Sequence, residues 1–260
     1  MNFRQFIERH DLTQIEQIHR DTFITLNNLI NYYQKFYYMH FPKRKINQDH
    51  HDYIMNLYSI PEQWQSIIPQ IYNYKVEIRH IPGKHWTTNL GQAYGEIIGQ
   101  YVVLYSNIGN IINELKDKAN LFVWFVKENK KNKATKIKQE AKKIHDQLMS
   151  ELQKNKENLF NSLYHEIIHA ARHKHIKNIE IPLRQATRQH LLQAYVNSPV
   201  ELDAHFLEKA YSILRTPVSS FHEFLNKFKE AIGAYHFKLL MEKNKRKMIS
   251  RLYQLYTANK

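Results

Sequence analysis

Residues 162 to 175 read SLYHEIIHAARHKH. Within them His165, Glu166 and His169 spell the pattern HExxH, and Leu159, Phe160, Leu163, Tyr164, Ile167, Ile168, Ala170 and Ala171 supply apolar surface around it. Nothing in this stretch breaks a helix. The chain holds 16 His in 260 residues, so an accidental HExxH is not negligible and the surroundings must decide. On a helix, residues four apart lie one above the other, about 5–6 Å between Cβ atoms, and two imidazoles so placed reach one ion. Glu166 is not a ligand in this scheme. One position past the first histidine, it points toward the water that the ion activates and serves as its general base. The competing account makes His165 and His169 ordinary solvated or hydrogen-bonded residues beside His173 and Lys174. Two histidines and a carboxylate are costly to bury among apolar neighbours without a partner, and a metal is one good partner.

A catalytic zinc takes a third protein ligand and keeps one position open. His175 falls at the third-histidine position of HExxHxxGxxH, but Arg172 stands where that pattern needs a glycine to turn the chain. Without the turn, His175 lies about 240° around the helix from His169. Glu201 is preferred. Ser198 and Pro199 read as an N-cap and a favoured first helical residue, which puts Glu201 in the first turn of a new helix, with the small Ala204 following. Ser198-x-x-Glu201 is also a capping box, whose glutamate would only bond back to the backbone. Ser220-x-x-Glu223 repeats the signature, and there capping is the better account. Asp203 is the third candidate, on a different face of the same helix.

HEIIH followed by a helix carrying Glu201-x-x-Ala204 resembles the gluzincin class of zinc metallopeptidases, over about residues 75 to 215. The resemblance implies that His165, His169 and Glu201 bind Zn2+ and that Glu166 is base and proton shuttle. Several gluzincins carry an Asp three or four residues after the glutamate that orients a zinc-binding histidine. Here those positions are Ala204 and His205, which leaves that role unfilled or passes it to Asp203. HEIIHA also resembles SprT-like proteases, without their third-histidine motif. In zincins an antiparallel edge strand pairs with an extended substrate. The segment from residue 95 to 105, or its neighbour, is the candidate for that strand, the alternative being an ordinary core strand.

Alternation of Val76, Ile78 and Ile81 with polar residues predicts a strand in KVEIRHI (75–81), and GEIIGQYVVLYSN reads as a second strand. PGKHWTTNLGQ between them is turn-rich. The rest reads as helix: residues 2 to 40, a short proline-bounded piece in PEQWQSIIPQIYN, a long tract from 110 to about 155, and amphipathic helices after Glu201's. In the last of these Phe221, Phe224, Leu225, Phe228 and Ile232 form a core stripe. The expected fold is α+β, mostly helical and zincin-like, with a small antiparallel sheet on the HExxH helix. Residues 1–74 form an N-terminal helical region, 75–215 the catalytic core with an exposed charged helical insertion at about 126–157, and 216–260 the C-terminal helices, together one compact unit.

With no cysteine, disulfides and cysteine-based zinc sites are excluded. No window approaches about 18 apolar residues and the start lacks an apolar signal core, so neither export nor a membrane span is expected, and a cytoplasmic or virion-associated location is. Abundant Asn, Lys, Ile and Tyr fit an AT-rich coding source such as a bacterial virus. The formal net charge is +14 and the isoelectric point about 9.6, with clusters at FPKRK (41–45), KENKKNKATKIK (127–138) and EKNKRKM (242–248). Such a surface attracts anions and binds nucleic acid without reading sequence. The clusters are rich in lysine and lack interleaved aromatics, so base stacking is not indicated. Two functions follow: a zinc endopeptidase acting on protein or peptide substrates, and a basic nucleic-acid-associated or virion structural protein whose metal site is inert or structural. Tyr195, His205, His222, Tyr235 and His236 are all chemically able to stabilise an oxyanion.

Overall fold

The computed structural model describes residues 12–41, 70–71, 73–80, 94–172, 193–194, 196–214 and 216–258. They are mainly helical with one small sheet, the α+β, mostly helical class expected. The chain forms two compact units, one from His19 to Ile167, the other from Ile168 to the end together with the residues up to Ile18. The dividing line falls inside one unbroken helix, Lys156–Arg172.

In the first unit, helix α1 (Leu12–His40) buries Leu26, Leu29, Tyr33, Phe36 and Tyr37, a spacing that keeps them on one face. Four short strands follow: β1 (Gln70–Ile71), β2 (Tyr74–Arg79), β3 (Tyr94–Ile98) and β4 (Tyr101–Tyr105). The predicted strand at 75–81 is β2. The second predicted strand is two strands, because Gly99 takes a positive φ of 57° and closes a two-residue hairpin turn, where such a φ suits glycine. Strand order is β1-β2-β4-β3. The expectation of an antiparallel sheet is corrected here: β3 and β4 pair antiparallel, but β2 and β4 run parallel, with Val76 opposite Val102 and Ile78 opposite Leu104. The hairpin turn sends β4 back beside β2 and leaves β3 at the edge. As the inner strand, β4 buries Val102, Val103, Leu104 and Tyr105.

Helices α2 (Ile108–Lys127) and α3 (Lys131–Lys154) form a hairpin. Its turn passes through Asn129 at φ 54°, a left-handed conformation that asparagine tolerates better than most residues. The charged tract, expected as an exposed helical hairpin or arm, forms the second arm of this hairpin. Within it α3 buries Ala134, Ile137, Ala141, Ile144, His145, Leu148 and Leu152, one stripe at helical spacing, and turns most of its lysines outward. The His145 ring lies 4.6 Å from that of Tyr37, tilted, and Phe41, just past α1, lies 5.2 Å from Phe122, which ties α1 and its end to both arms of the hairpin. At the tip the fold supplies what the sequence order hides. Trp124, 48% exposed, lies 4.6 Å from the Lys130 ammonium, and Phe125 lies 5.7 Å from that of Lys133. The basic cluster is therefore interleaved with aromatics after all, because the turn folds α2's last rings against α3's first lysines. Helix α4 (Lys156–Arg172) follows, burying Leu159, Leu163, Tyr164 and Ile167.

The second unit is built from α5 (Pro199–Leu214), α6 (Phe221–Ile232), α7 (Ala234–Leu239) and α8 (Glu242–Ala258). Phe224 and Phe228 of the predicted stripe are fully buried, while Phe221, Leu225 and Ile232 are half-buried; Phe206 lies 6.0 Å from Phe228 and Tyr256 6.1 Å from Phe224. Ser220 caps α6 by accepting from the Glu223 N–H at 3.1 Å. Glu223 reaches back to the N–H of Ser219 at 2.8 Å, one residue short of the reciprocal capping box. Lys227 and then Ser219 hold its carboxyl down at about 2. No helix among the described residues is long and apolar enough to cross a membrane.

One glycine in the first unit has no room for a side chain. A Cβ on Gly109, in the first turn of α2, would stand 2.2 Å from both the carbonyl carbon of Arg79 and the N of His80, so backbone would have to move. Gly109→Ala is expected to lower stability by about 1–3 kcal/mol or more through overpacking, despite alanine's better helix propensity; denaturant unfolding of the two proteins measures it, and an unchanged midpoint would refute the close approach.

Candidate metal centre

Helix α4 carries the HExxH residues as the sequence predicts, one unbroken helix that sets His165 a turn before His169. Helix α5 supplies the next side chain. Its start is the one anticipated: Pro199 is its first residue, and Ser198 Oγ accepts from the Glu201 N–H at 3.3 Å. The carboxylate of Glu201 faces histidines, Oε1 lying 3.4 Å from His169 Nε2 and Oε2 lying 3.8 Å from His205 Nε2. Glu223, at the matching position of α6, bonds back toward its own N-cap. Identical signatures thus lead to different uses.

The His169–Glu201 separation is longer than the usual 2.9–3.0 Å of an N–H···O bond. It matches the about 3.3 Å that separates two ligands, each about 2.0–2.1 Å from an ion, at a tetrahedral centre. His165, His169 and Glu201 together form a group able to hold a metal ion, each offering one ligand atom within 4.8 Å of the others. Two imidazole nitrogens and a carboxylate oxygen suit a borderline cation such as Zn2+, so the donor set fits the ion that the sequence implies.

Asp203, the alternative ligand, is used otherwise. It is 5% exposed and accepts from Arg251 Nη2 at 3.0 Å, while the same guanidinium stacks over Phe206 with its Cζ 4.0 Å from the ring centroid. The arginine supplies the charge that a buried carboxylate requires. His175 lies outside the described residues, as does the Tyr195 side chain.

Glu166, 7% exposed, packs against β3. A Cβ on Gly95 would come within 2.2 Å of its Cγ and 2.8 Å of its Oε1, so glycine at that strand position makes room for this side chain. The sequence offered no sign of that contact. It also passed over Glu208, which is 6% exposed and belongs to a second possible ligand group, His165, His205 and Glu208. The signal was there in the spacing, since Glu201, His205 and Glu208 recur at i, i+4 and i+7 on one helix face. Of the oxyanion candidates, His205 and His236 share one recess, walled by Val196, Leu202, Ile232, Leu240 and Met248, whereas Tyr235 is 55% exposed and His222 is exposed.

No family model, curated protein or solved structure matches the chain.

The two carboxylates of α5 should separate cleanly in solution. Asp203→Ala leaves Arg251 charged and buried, and is expected to cost about 3 kcal/mol of stability with zinc affinity kept. Glu201→Gln is expected to leave the melting temperature of the metal-free protein nearly unchanged and to weaken zinc binding at least tenfold. Calorimetric unfolding and zinc titration of both variants give the comparison, and the reverse pattern would exchange the two roles.

Proposed function

We propose that the protein is a zinc-dependent endopeptidase that hydrolyses peptide bonds in protein or peptide substrates. The observation that carries the reading is the approach of Glu201 Oε1 to His169 Nε2 at 3.4 Å, on the helix where HExxH sets His165 one turn earlier. His165, His169 and Glu201 are the residues that would hold the ion. Zinc bound by such a set is a Lewis acid that polarises a carbonyl and brings the pKa of water toward about 7.

Glu166 has the chemistry of the base. As a carboxylate it accepts a proton from the attacking water, and as a carboxylic acid it returns that proton to the leaving amine. Its burial beside Gly95 fixes where it can do so, since the glycine leaves one side of the carboxylate's stem against backbone. Strand β3 is at the edge of the described sheet, and an edge strand offers backbone groups to an extended peptide, with little dependence on its sequence. A peptide added along β3 would pass the residue that adjoins Glu166. This geometry supports assigning the substrate strand to the segment that begins at Gly95.

A second reading, a nucleic-acid-associated or virion structural protein whose ion is only structural, is favoured by one observation, the hairpin tip where Trp124 and Phe125 meet Lys130 and Lys133. Rings that stack and ammonium groups that neutralise phosphate are the two elements of sequence-independent binding to single strands. That tip and the peptidase residues are separate features, and one protein can carry both.

The test of the peptidase reading is the base. Glu166→Gln is expected to retain zinc and fold while cleavage of an unstructured protein substrate drops by about 10²-fold or more, because an amide cannot take the proton. Gly95→Ala is expected to reproduce part of that loss, also with zinc retained, by displacing the Glu166 side chain. Undiminished cleavage by the Glu166 variant would remove it from the mechanism, and loss of zinc would make it a ligand.

A further inference from the structure

We infer that Asn197 is the positioning residue of the metal ligand Glu201: its side-chain amide clasps the start of α5 to the junction of α7 and α8, and so sets where the Glu201 carboxylate stands. The inference rests on the metal-binding reading above and adds a residue that reading does not use. The clasp, Glu201 and His169 all belong to the second unit.

A side-chain amide has two N–H donors and a carbonyl oxygen with two lone pairs, and Asn197 uses all four. Its Nδ2 donates to the carbonyl of Gln193 at 2.7 Å and to that of Leu239 at 2.9 Å. Its Oδ1 accepts from the backbone N–H of Met241 at 2.7 Å and from Asn244 Nδ2 at 2.9 Å. Three of these partners lie 42 to 47 residues along the chain. Leu239 is the last residue of α7, Met241 stands between the two helices, and Asn244 is in the first turn of α8. Aspartate, with no donor, and serine, with one, could not make the same set.

The clasp lies directly before the residues that place the ligand. Ser198, one planar peptide bond further on, is the N-cap: its Oγ accepts from the Glu201 N–H at 3.3 Å and its carbonyl from the Leu202 N–H at 3.0 Å. Helix ends fray, and Glu201 is in the first turn of α5, with Oε1 3.4 Å from His169 Nε2. A ligand site holds its side chains to within about 0.5 Å, and a first turn tied from outside meets that demand where a fraying one does not. Arg251 and Asp203 make a second tie between α8 and α5, but it grips the helix beyond Glu201. The two ties therefore divide their work, the one at Asp203 holding the body of the helix and the one at Asn197 setting its first turn.

The experiment compares Asn197→Ala and Asp203→Ala with wild type, each as the full chain. Zinc affinity is measured by competition with a chelator at a temperature where every metal-free protein is fully folded, so that lost stability does not lower the apparent affinity. Both variants are expected to melt below wild type. Only Asn197→Ala is expected to bind zinc more weakly, by about tenfold, the lower end of what the outer partners of metal ligands contribute. Asn244→Ala removes one bond of the clasp, is expected to weaken zinc binding in the same direction by a smaller factor, and decides the matter if Asn197→Ala does not fold. Zinc held as tightly as in wild type by Asn197→Ala, or by Asn244→Ala in its place, would overturn the positioning role and leave the metal site standing. Wild type that binds no zinc would overturn the metal-binding reading and this inference with it.

Discussion

Helix α5 takes Glu201, Asp203 and Glu208 largely out of water within about two turns, and an ionised carboxylate moved into a protein interior costs several kcal/mol unless a cation or hydrogen-bond donors meet it. Each of the three has a different answer. Asp203 meets Arg251 from α8, whose guanidinium also lies on Phe206. Glu208 meets Lys209 with one oxygen. Glu201 turns to His169 and His205, imidazoles of the kind that bind transition metals. The arrangement is self-consistent if an ion completes the balance at Glu201.

The same constraint explains what the flanking residues do. Ser198 and Pro199 start α5 at the position that brings Glu201 into its first turn, and the fully buried Ala204 and Ala210 keep the helix slim among Phe206, Phe224 and Phe228. In the other unit, Glu166 is a buried carboxylate too, and there the accommodation is steric: Gly95 gives up a side chain so that the glutamate can lie against strand β3. A group whose position is fixed in this way is suited to repeated proton transfer, because little reorganisation is needed each time.

How much of this could be read from the sequence depended on distance along the chain. The helix that carries HExxH was legible because helical phase is local, and the start of α5 just before Glu201 was legible because Ser198-Pro199 announces a helix start. The assignment of Asp203 was not, since its partner Arg251 lies 48 residues away. The sheet followed the same rule. Alternation located β2, and β-branched residues located the β3–β4 region, but the hairpin at Gly99 and the parallel pairing of β4 with β2 depend on how separate segments meet. The hairpin tip is the plainest case: Trp124 and Lys130 are six positions apart, and the lysine cluster was read as lacking interleaved aromatics, but the turn at Asn129 puts the ammonium over the ring. Residues such as Glu208 were overlooked for another reason. Its spacing from His205 was visible, but a single acidic residue on a helix is ordinarily a solvated one.

The central claim is that two imidazoles from one helix and the first-turn glutamate of another hold a zinc ion. The zinc K-edge absorption spectrum of the full chain, loaded with less than one equivalent so that no loosely held excess contributes, tests it most directly. The account predicts two imidazole ligands with Zn–N distances of about 2.0–2.1 Å and carboxylate oxygen beside them. A spectrum without imidazole scattering, indistinguishable from that of the hydrated ion, would contradict it.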